Sequence, residues 1–426
     1  MAPILSGKRI VLGISGGIAA YKAVTLASRL TQANALVDVI MTHSAAKFVA
    51  PVTFQSITQR SVATDTFEFW HDAGRLRIGH VALAHAADLF IIAPATAHTI
   101  ARLALGLSDD LLSITALSYK GPMLLAPAME TNMWTHPATM RNVQTLQDWG
   151  VDFIGPAEGR LASGEVGEGR VAEPEEIFEV ACKVIGRGGP LDGLRVVITA
   201  GGTREPIDPV RFVGNHSTGK MGAALARAAR DLGADTVLVH APLSVHPPGG
   251  ITLIPVHTAQ QMYAAVMEGL PKTDVLIGAA AVADYRPTDS ADYKLKKSPQ
   301  QQVISLERTP DILHEVGIKR EDGDSGPKLV IGFAAETNDL EVNAIDKLKR
   351  KNLDLVVLND VSAPDSGFAV DTNRVTLFER GGNREAWPLM SKDEVAQAIM
   401  QRAVVRLGRL DWKRAKPGKE DGLTGS

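Results

Sequence analysis

Short apolar runs alternate with segments of helical length along most of this chain. The runs are rich in Val, Ile and Leu, and the segments between them, such as IAAYKAVTLASRLTQ, have helical periodicity. Strands that are apolar on both faces are typical of a parallel sheet covered by crossover helices. The pattern therefore predicts an α/β fold. In the first half the predicted strands are residues 9–15, 36–42, 88–94, 122–128 and 151–156.

The same alternation restarts after the Gly/Pro-rich stretch GRGGPLDG. The second set of predicted strands is residues 195–201, 235–241, 273–280, 328–335 and 353–360. We therefore predict two doubly wound domains, residues 1–189 and 190–410. Residues 411–426 are charged and aperiodic, and we predict that they are disordered.

Composition and charge narrow the class of protein. The chain has 45 Lys and Arg residues against 48 Asp and Glu, a net charge of −3, which argues against nucleic-acid or membrane-surface binding. The single cysteine, Cys182, excludes intramolecular disulfides and cysteine-cluster metal sites, so any metal would be held by oxygens. Its apolar helical surroundings predict a small core residue. With no run of about 18 apolar residues and no signal-peptide pattern, we expect a cytoplasmic protein.

The first predicted strand is followed by small polar residues. In open α/β sheets the ligand lies beyond the carboxyl ends of the strands, which here carry Ser15, Gly16 and Gly17. Such residues allow backbone N–H groups to approach a phosphate, although the glycines could equally serve only a tight turn. The second strand ends in residues 41–44, MTHS, without the acid that holds a ribose diol. A mononucleotide such as FMN therefore fits better than NAD.

His80 would mean little alone, because single histidines are often surface or capping residues, and its spacing to His85 is not that of an HExxH zinc site. However, the segments GISGGIAAYK, HVALAHAADL, APATA, GLSDDLL and APAMETNMW resemble the flavin-dependent cysteine decarboxylase family. The resemblance implies a trimeric flavodoxin-like domain that uses FMN to decarboxylate a C-terminal or pantothenoyl-linked cysteine, with His80 catalytic. The expected cofactor-binding residues are Ser15, Gly16, Gly17, Ser44, Thr96, Ser108 and Met129.

Two positions depart from that family. Its substrate motif Pro-x-Met-Asn-x-x-Met-Trp is matched except that Glu130 replaces the Asn. Its mobile clamp carries a Cys that returns a proton, where this chain has Ser163, a weaker proton donor. Compensation by water, by Glu130 or by the surroundings of the flavin, or slow decarboxylation, all remain open. We keep Ser163 as a catalytic candidate, and the expected substrate-binding residues are Glu130, Asn132, Met133 and Trp134.

In the second domain, residues 214–220 match the first seven positions of a P-loop. Met221 then replaces the required Ser or Thr, and the preceding apolar run is short, which argues against a P-loop. Residues 215–218 instead cluster before a helix that begins at Gly219, which suits an anion.

Two groups of basic residues lie near strand ends. One contains Lys294, Lys296 and Lys297, and the other spans residues 347–351. Each could be a solvated helix face. Together they suggest a triphosphate, and Asp284 with residues 359–360 makes a nucleotide with Mg²⁺ chemically coherent.

These segments carry a second resemblance. TAGGTREPIDPVRFVGNHSTGKMG, GAAAVADYRP, KLKK, TPDI, IGFAAET and DKLKRKNLDLVVLND resemble the CTP-dependent phosphopantothenate–cysteine ligase family. The resemblance implies that Asn215 helps an acyl-cytidylate proceed to amide. It also implies that CTP is contacted by Gly278, Ala279, Ala280, Asp284, Lys294, Thr309, Pro310, Asp311, Ile312, Phe333, Lys347 and Lys351.

The order decarboxylase then ligase resembles the bifunctional bacterial enzymes of coenzyme A biosynthesis. The resemblance implies that 4′-phosphopantothenate, L-cysteine and CTP are the partners, that FMN and, with CTP, Mg²⁺ are the cofactors, and that nucleic acid and membrane are not partners. It also implies a homo-oligomer, a dodecamer with trimeric decarboxylase and dimeric ligase contacts. The alternatives are a ligase with an inactive or regulatory decarboxylase-like domain, a regulatory binding protein, and a flavodoxin-like electron carrier. The last would leave the second domain unexplained.

Overall fold

The computed structural model describes residues 3–66, 69–72, 75–296, 303–321, 326–336, 340–360 and 370–408. The chain divides into two compact units, Met1–Gly186 and Arg187–Ser426. Residues 411–426, for which the sequence predicts disorder, lie outside the described residues, as does Lys297. Within the described ranges, no helix combines the length and the apolar character needed to cross a bilayer.

The first unit alternates strands and helices, as the apolar pattern predicts. Its strands are β1 Arg9–Ile14, β2 Leu36–Met41, β3 Val62–Ala63, β4 Phe69–Asp72, β5 Arg75–Ile78, β6 Leu89–Ala95, β7 Met123–Pro127, β8 Asp152–Phe153, β9 Ala157–Arg160 and β10 Val166–Arg170. Its helices are α1 Ala20–Gln32, α2 Pro51–Thr58, α3 Gly79–Ala86, α4 Ala97–Leu105, α5 Leu111–Ser118, α6 Thr131–Thr135, α7 Pro137–Asp148 and α8 Pro174–Gly186.

Parallel strands form the centre of this unit in the order β3-β2-β1-β6-β7-β8. Apart from the short edge strand β3, this is the strand order of flavodoxin-like folds, whose switch point lies between β1 and β6. Side chains of successive strand residues alternate between two buried clusters: Ile10 and Leu12 lie in one, and Val11 lies in the other. Both sheet faces are therefore covered, as predicted.

The second unit repeats the α/β plan. Its strands are β11 Arg195–Ala200, β12 Arg204–Pro206, β13 Phe212–Gly214, β14 Asp235–His240, β15 Thr252–Pro255, β16 Val275–Gly278, β17 Tyr285–Pro287, β18 Leu306–Arg308, β19 Leu329–Glu336, β20 Leu355–Asp360, β21 Thr372–Asn373, β22 Val375–Glu379, β23 Arg384–Ala386 and β24 Met390–Ser391. Its helices are α9 Lys220–Asp231, α10 Ala259–Gly269, α11 Ile312–Glu321, α12 Leu340–Arg350 and α13 Lys392–Arg406.

The main sheet of the second unit runs in the order β15-β14-β11-β16-β19-β20-β22-β23. The first six strands are parallel and follow the Rossmann order, with the switch point between β11 and β16. The last two strands are antiparallel, and neither they nor the edge strand β15 were predicted from the sequence. Val196 and Ile198 face one buried cluster while Val197 faces another. The predicted α/β class is confirmed for both units, and Cys182 is fully buried in the core of the first.

Candidate functional site

The carboxyl ends of β1, β2 and β6 meet at one edge of the first sheet. Ser15 is buried there, where its Oγ donates to the Pro94 carbonyl at 2.7 Å and accepts from the Thr96 N–H at 3.0 Å. A Cβ on Gly16 would lie 2.3 Å from Ser44 Cβ, so only glycine permits this approach of the two loops. The structure thus brings together most of the predicted flavin-binding residues of this edge.

Gly17 and Ser108 were also predicted to bind the flavin, and only Gly17 lies at this edge. A Cβ on Gly17 would lie 3.6 Å from the Thr96 methyl group, which is ordinary contact, so Gly17 belongs to the same edge. Ser108 is exposed in the turn between α4 and α5, and no described hydrogen bond joins it to this edge.

Glu130, which replaces the Asn of the decarboxylase motif, is the N-cap residue of α6. Its carboxylate accepts from the N–H groups of Asn132 at 2.9 Å and Met133 at 3.3 Å, as an N-cap does. Its other oxygen accepts from Asn132 Nδ2 at 3.0 Å. Glu130 therefore orients Asn132, a role that the motif alone did not indicate. Met133 is about half exposed. Met129 and Trp134 pack against the buried apolar cluster that contains Val11.

A hairpin of β9 and β10 lies against this motif and carries Ser163 in its exposed turn. The Met129 N–H donates to the Gly169 carbonyl at 2.9 Å. A Cβ on Gly169 would lie only 2.1 Å from the Met129 carbonyl oxygen, so the hairpin approaches closely because this residue is glycine. The hairpin therefore connects the position of Ser163 to the substrate motif.

We expect Gly169→Ala to loosen this hairpin. The methyl group would clash with backbone rather than with a flexible side chain, at a φ of +149°, which should cost about 1–3 kcal/mol and slow decarboxylation. Gly159→Ala is the matched control, because its φ of +158° is similar but its Cβ would meet only the Arg170 side chain, at 3.4 Å. Product analysis should show slower CO₂ release for Gly169→Ala and unchanged ligation; equal rates in both variants would contradict the expectation.

His80 is the second residue of α3 and is partly buried. Its Nδ1 is buried and has no hydrogen-bond partner among the described residues. Buried polar atoms are usually satisfied, so such an atom indicates a functional constraint. A ring nitrogen without a fixed partner is suited to exchanging a proton with a ligand. No described hydrogen bond joins His80 to Ser15 or Thr96.

In the second unit a cavity of about 780 Å³ lies at the carboxyl ends of β16, β19 and β20 and at the start of α9. Its charged lining residues are mostly basic: Lys220, Lys347, Arg350, Lys351 and Lys392, with the acids Asp284 and Asp346. A smaller cavity of about 140 Å³ shares part of this lining. An excess of ammonium and guanidinium groups in a concave site is typical of a site for a polyanion.

The two cavities gather almost all of the residues predicted to contact CTP. The lining includes Asn215, Gly278, Ala279, Ala280, Asp284, Thr309, Pro310, Asp311, Ile312, Phe333, Lys347 and Lys351. Lys294 is exposed and is not among these lining residues. The N–H of its neighbour Leu295 donates to the buried Asp208 at 3.2 Å, which anchors that segment.

Hydrogen bonds hold two polar side chains of the cavity in place. Asn215 Nδ2 donates to the Val282 carbonyl at 3.0 Å, and Lys347 Nζ donates to the Phe333 carbonyl at 2.6 Å. These bonds connect the α9 loop and α12 to the strand ends. The cavity is therefore shaped by contacts between segments far apart in sequence.

Lys351 forms an ion pair with Asp311 at 2.8 Å. Burial favours the neutral acid, but the hydrogen bond and the charge of Lys351 outweigh it and hold the pKa of Asp311 below its ordinary value. Asp311 is therefore ionised at neutral pH and fixes Lys351 at the cavity wall.

The glycine-rich segment before α9 is not a P-loop. The strand that precedes it, β13, is three residues long and pairs antiparallel with β12. Gly219 is the N-cap residue of α9 with a φ of +72°, and a Cβ there would lie 2.1 Å from Leu243 Cδ2. The helix start nevertheless faces the cavity, as the sequence predicts for an anion site.

The sequence did not single out Lys392, Asn343 or Asn373 as site residues, yet all three line the large cavity. Ser391 and Glu394 form a capping box that could have placed Lys392 at a helix start. Nothing in the sequence placed that helix start beside α9.

Comparison with known proteins identifies the class and then the family. The chain matches the family described as "Flavoprotein" over residues 4–186 and the "DNA/pantothenate metabolism flavoprotein C-terminal domain" over residues 191–406. It is 47% identical over 401 residues to the Coenzyme A biosynthesis bifunctional protein CoaBC of Bacillus subtilis, covering 93% of this chain and 97% of that protein. The CoaBC protein of Vibrio cholerae is 44% identical over 398 residues, which cover 93% of this chain and 98% of that protein. The CoaBC protein of Mycobacterium tuberculosis is 43% identical over 411 residues, which cover 94% of this chain and 97% of that protein. The chain belongs to this family and is a bifunctional enzyme of coenzyme A biosynthesis that combines a ligase with a decarboxylase.

Solved structures overlap each part of the chain. The crystal structure of the C-terminal domain of a CoaBC protein is 42% identical, covers 52% of this chain and 98% of its own, and has a TM-score of 0.44. The FMN-binding protein AtHal3 is 32% identical, covers 41% of this chain and 94% of its own, and has a TM-score of 0.37.

Proposed function

We propose that the second unit joins L-cysteine to 4′-phosphopantothenate with CTP, and that the first unit uses FMN to decarboxylate the product to 4′-phosphopantetheine. The observation that carries the proposal is the basic cavity, which collects Asn215, Asp284 and Phe333 with Lys347 and Lys351 around one space. A nucleoside triphosphate and a phosphorylated acid both need such a site.

The ligase chemistry follows from the poor electrophilicity of a carboxylate. A carboxylate oxygen of phosphopantothenate attacks the α-phosphorus of CTP, and the bond to pyrophosphate breaks. The cysteine amine then attacks the acyl carbon of the acyl-cytidylate, which releases CMP and a proton. Lys347 and Lys351 neutralise phosphate charge during the first step. Asn215, fixed by Val282, holds the acyl-cytidylate for the second step.

Mg²⁺ enters this scheme with CTP. Magnesium sites on nucleotides use one or two carboxylates together with phosphate oxygens, and Asp284 lines both cavities. Lys294 contacts the nucleotide from the segment anchored at Leu295.

The residues of the first unit fit FMN. Gly16 leaves room where two loops meet, and the Ser44 and Thr96 side chains lie at the same strand ends. When bound, FMN accepts electrons from the cysteine thiol and so provides the electron sink that loss of CO₂ requires. His80 moves a proton at its imidazole, whose Nδ1 is buried, and Ser163 returns a proton from the hairpin that lies against the substrate motif.

We also propose that the chain acts as a homo-oligomer, a dodecamer built from trimeric contacts of the first unit and dimeric contacts of the second. Ile18 and Tyr21, each 60% exposed, directly follow the flavin-binding turn and add apolar surface there. Native mass spectrometry should detect twelve copies.

A mass-resolved product assay tests the proposed function. The purified chain is supplied with 4′-phosphopantothenate, cysteine, CTP and Mg²⁺, and we expect 4′-phosphopantetheine as the end product. Accumulation of the cysteine adduct would instead support a ligase with an inactive decarboxylase-like unit. Absence of any adduct would refute the proposal.

Lys347→Met should raise the KM for CTP by about 10-fold or more, because an ammonium contact to phosphate is worth about 1.5–3 kcal/mol. Lys349→Met is the matched control, since Lys349 is exposed on the same helix and does not line the cavity. Steady-state kinetics at saturating cysteine measures the effect. Equal KM values for the two variants would contradict a role for Lys347 in nucleotide binding.

A further inference from the structure

A buried amide oxygen lies in the wall of the large cavity. Asn373 lines this cavity and is 2% exposed. Its Nδ2 contacts Met221 Sδ at 3.7 Å, but its Oδ1 is buried and has no hydrogen-bond partner in the part of the chain that the structure describes. Buried polar atoms are normally satisfied, and an amide oxygen can only accept a hydrogen bond. A ligand that completes this site must therefore present an N–H or O–H group to Asn373.

A buried ammonium group belongs to the same face of the chain. β21 and β24 pair antiparallel with Asn373 opposite Met390, and the Lys392 N–H continues this pairing by donating to the Asp371 carbonyl at 2.9 Å. Alternate residues of a strand share a face, so Asn373 and Lys392 are diagonal neighbours, a placement that sets Cα atoms about 7–8 Å apart. Lys392 also lines the cavity and is 6% exposed. The cavity wall thus places a cation next to an acceptor.

The charges around this pair are of both signs. The Lys392 ammonium donates to the Val370 carbonyl. Burial first, and then the charge of Lys220, hold the pKa of Lys392 below its ordinary value, while the charge of Asp371 acts in the opposite direction. Asp371 pairs with Lys220 at 2.6 Å. An acceptor and a carboxylate beside two ammonium groups suit a ligand that carries both charges better than a dianion, because their oxygens would repel a phosphate.

L-Cysteine is the ligase substrate that fits this arrangement. It carries a donor, its α-amino group, and an anion, its carboxylate, on the same carbon. The hydroxyl groups of CTP and of phosphopantothenate are several bonds away from the phosphates of these molecules. Phosphopantothenate also has a carboxylate two carbons from its amide N–H, but CTP consumes that carboxylate in the first step.

We propose that Asn373 and Lys392, together the β21–α13 subsite, bind L-cysteine as a zwitterion. Asn373 Oδ1 accepts from the α-amino group, and the Lys392 ammonium pairs with the carboxylate. The inference rests on the proposed ligase function and deepens it by naming the site of the third substrate. An amide oxygen accepts both from the ammonium form that arrives and from the neutral amine that attacks. Asn215 lines the same cavity, so the amine and the acyl-cytidylate share one space.

Asn373→Leu and Lys392→Met test the subsite in the full-length protein, with Lys349→Met as the control. The KM for L-cysteine should rise by about 10-fold or more in both variants, because each loses one contact to a charged group, and the KM values for CTP and phosphopantothenate should not change. Cysteamine, which has the amine but no carboxylate, separates the two roles. The preference for L-cysteine over cysteamine, measured as the ratio of kcat/KM values, should fall about 10-fold in Lys392→Met and persist in Asn373→Leu.

Pyrophosphate release without cysteine shows that the variants are folded, because formation of the acyl-cytidylate needs only CTP and phosphopantothenate. This burst should be unchanged in both variants, and if Lys392→Met loses it, Asn373→Leu decides alone. KM values for L-cysteine within twofold of the control, an unchanged preference over cysteamine in Lys392→Met, or a higher KM for CTP or phosphopantothenate would overturn the subsite. Loss of the burst in both variants would also overturn it, since the residues would then serve the first step or the fold. Failure of the wild type to form adduct would refute the ligase proposal instead.

Discussion

Asn215→Asp is expected to slow adduct formation by about 100-fold or more and to leave the acyl-cytidylate accumulating. The replacement keeps the shape of the side chain but removes the N–H that donates to the Val282 carbonyl at 3.0 Å. The new carboxylate also faces the cavity that we propose binds CTP and phosphopantothenate. The amide has a second N–H that can donate to the acyl-cytidylate, and removal of one preorganised donor to a reacting group typically costs 10²- to 10³-fold in rate. Pyrophosphate release without amide formation, measured by rapid quench and mass analysis, is the expected signature.

Asn343→Asp separates this effect from the added charge. Asn343 lines the same cavity from α12, so its replacement adds a similar negative charge without touching Val282. We expect weaker CTP binding and no accumulation of intermediate. If both variants behave alike, the defect of Asn215→Asp comes only from the added negative charge in the cavity.

His80→Asn should lower the rate of CO₂ release by about 10²- to 10⁴-fold, the range for loss of a general acid or base. The imidazole has a buried Nδ1 without a partner among the described residues, and asparagine cannot exchange a proton there near neutral pH. The flavin absorbance spectrum and the rate of ligation should not change, because those depend on other residues. Radiolabelled CO₂ release measures the effect.

His85→Asn is the control for this variant, since His85 is exposed on the same helix. It should decarboxylate at the wild-type rate. Normal CO₂ release by His80→Asn would mean that another group moves the proton and would favour water or Ser163.

Apolar periodicity was enough to predict the central strands of both sheets, because a strand covered on both faces must be apolar at every position. The structure confirms this for β1, whose neighbouring residues Val11 and Leu12 enter different buried clusters. Edge strands carry a weaker signal. Residues 151–156 were predicted as a strand, but only Asp152–Phe153 pairs with the sheet. The antiparallel pair β22 and β23 was missed although its Gly-Gly turn is visible in the sequence.

The candidate sites were predicted only where a motif is contiguous. Residues 215–218 were predicted to precede a helix and residues 278–280 to end a strand, and both segments line the cavities of the second unit. Lys392 lies more than 150 residues from Lys220, and only the packing of α9 against α13 brings them together. The capping role of Glu130 depends likewise on the local backbone, which a comparison of residue types does not contain.

Each unit has its own buried core, made of two apolar clusters on the two faces of its sheet. Clusters containing Leu12 and Val11 draw only on residues of the first unit, and those containing Ile198 and Val197 only on the second, within the described residues. A break in the chain near residue 187 would therefore expose neither core. In evolutionary terms, the two halves could be encoded as separate genes or fused into one without any change to the packing that folds them.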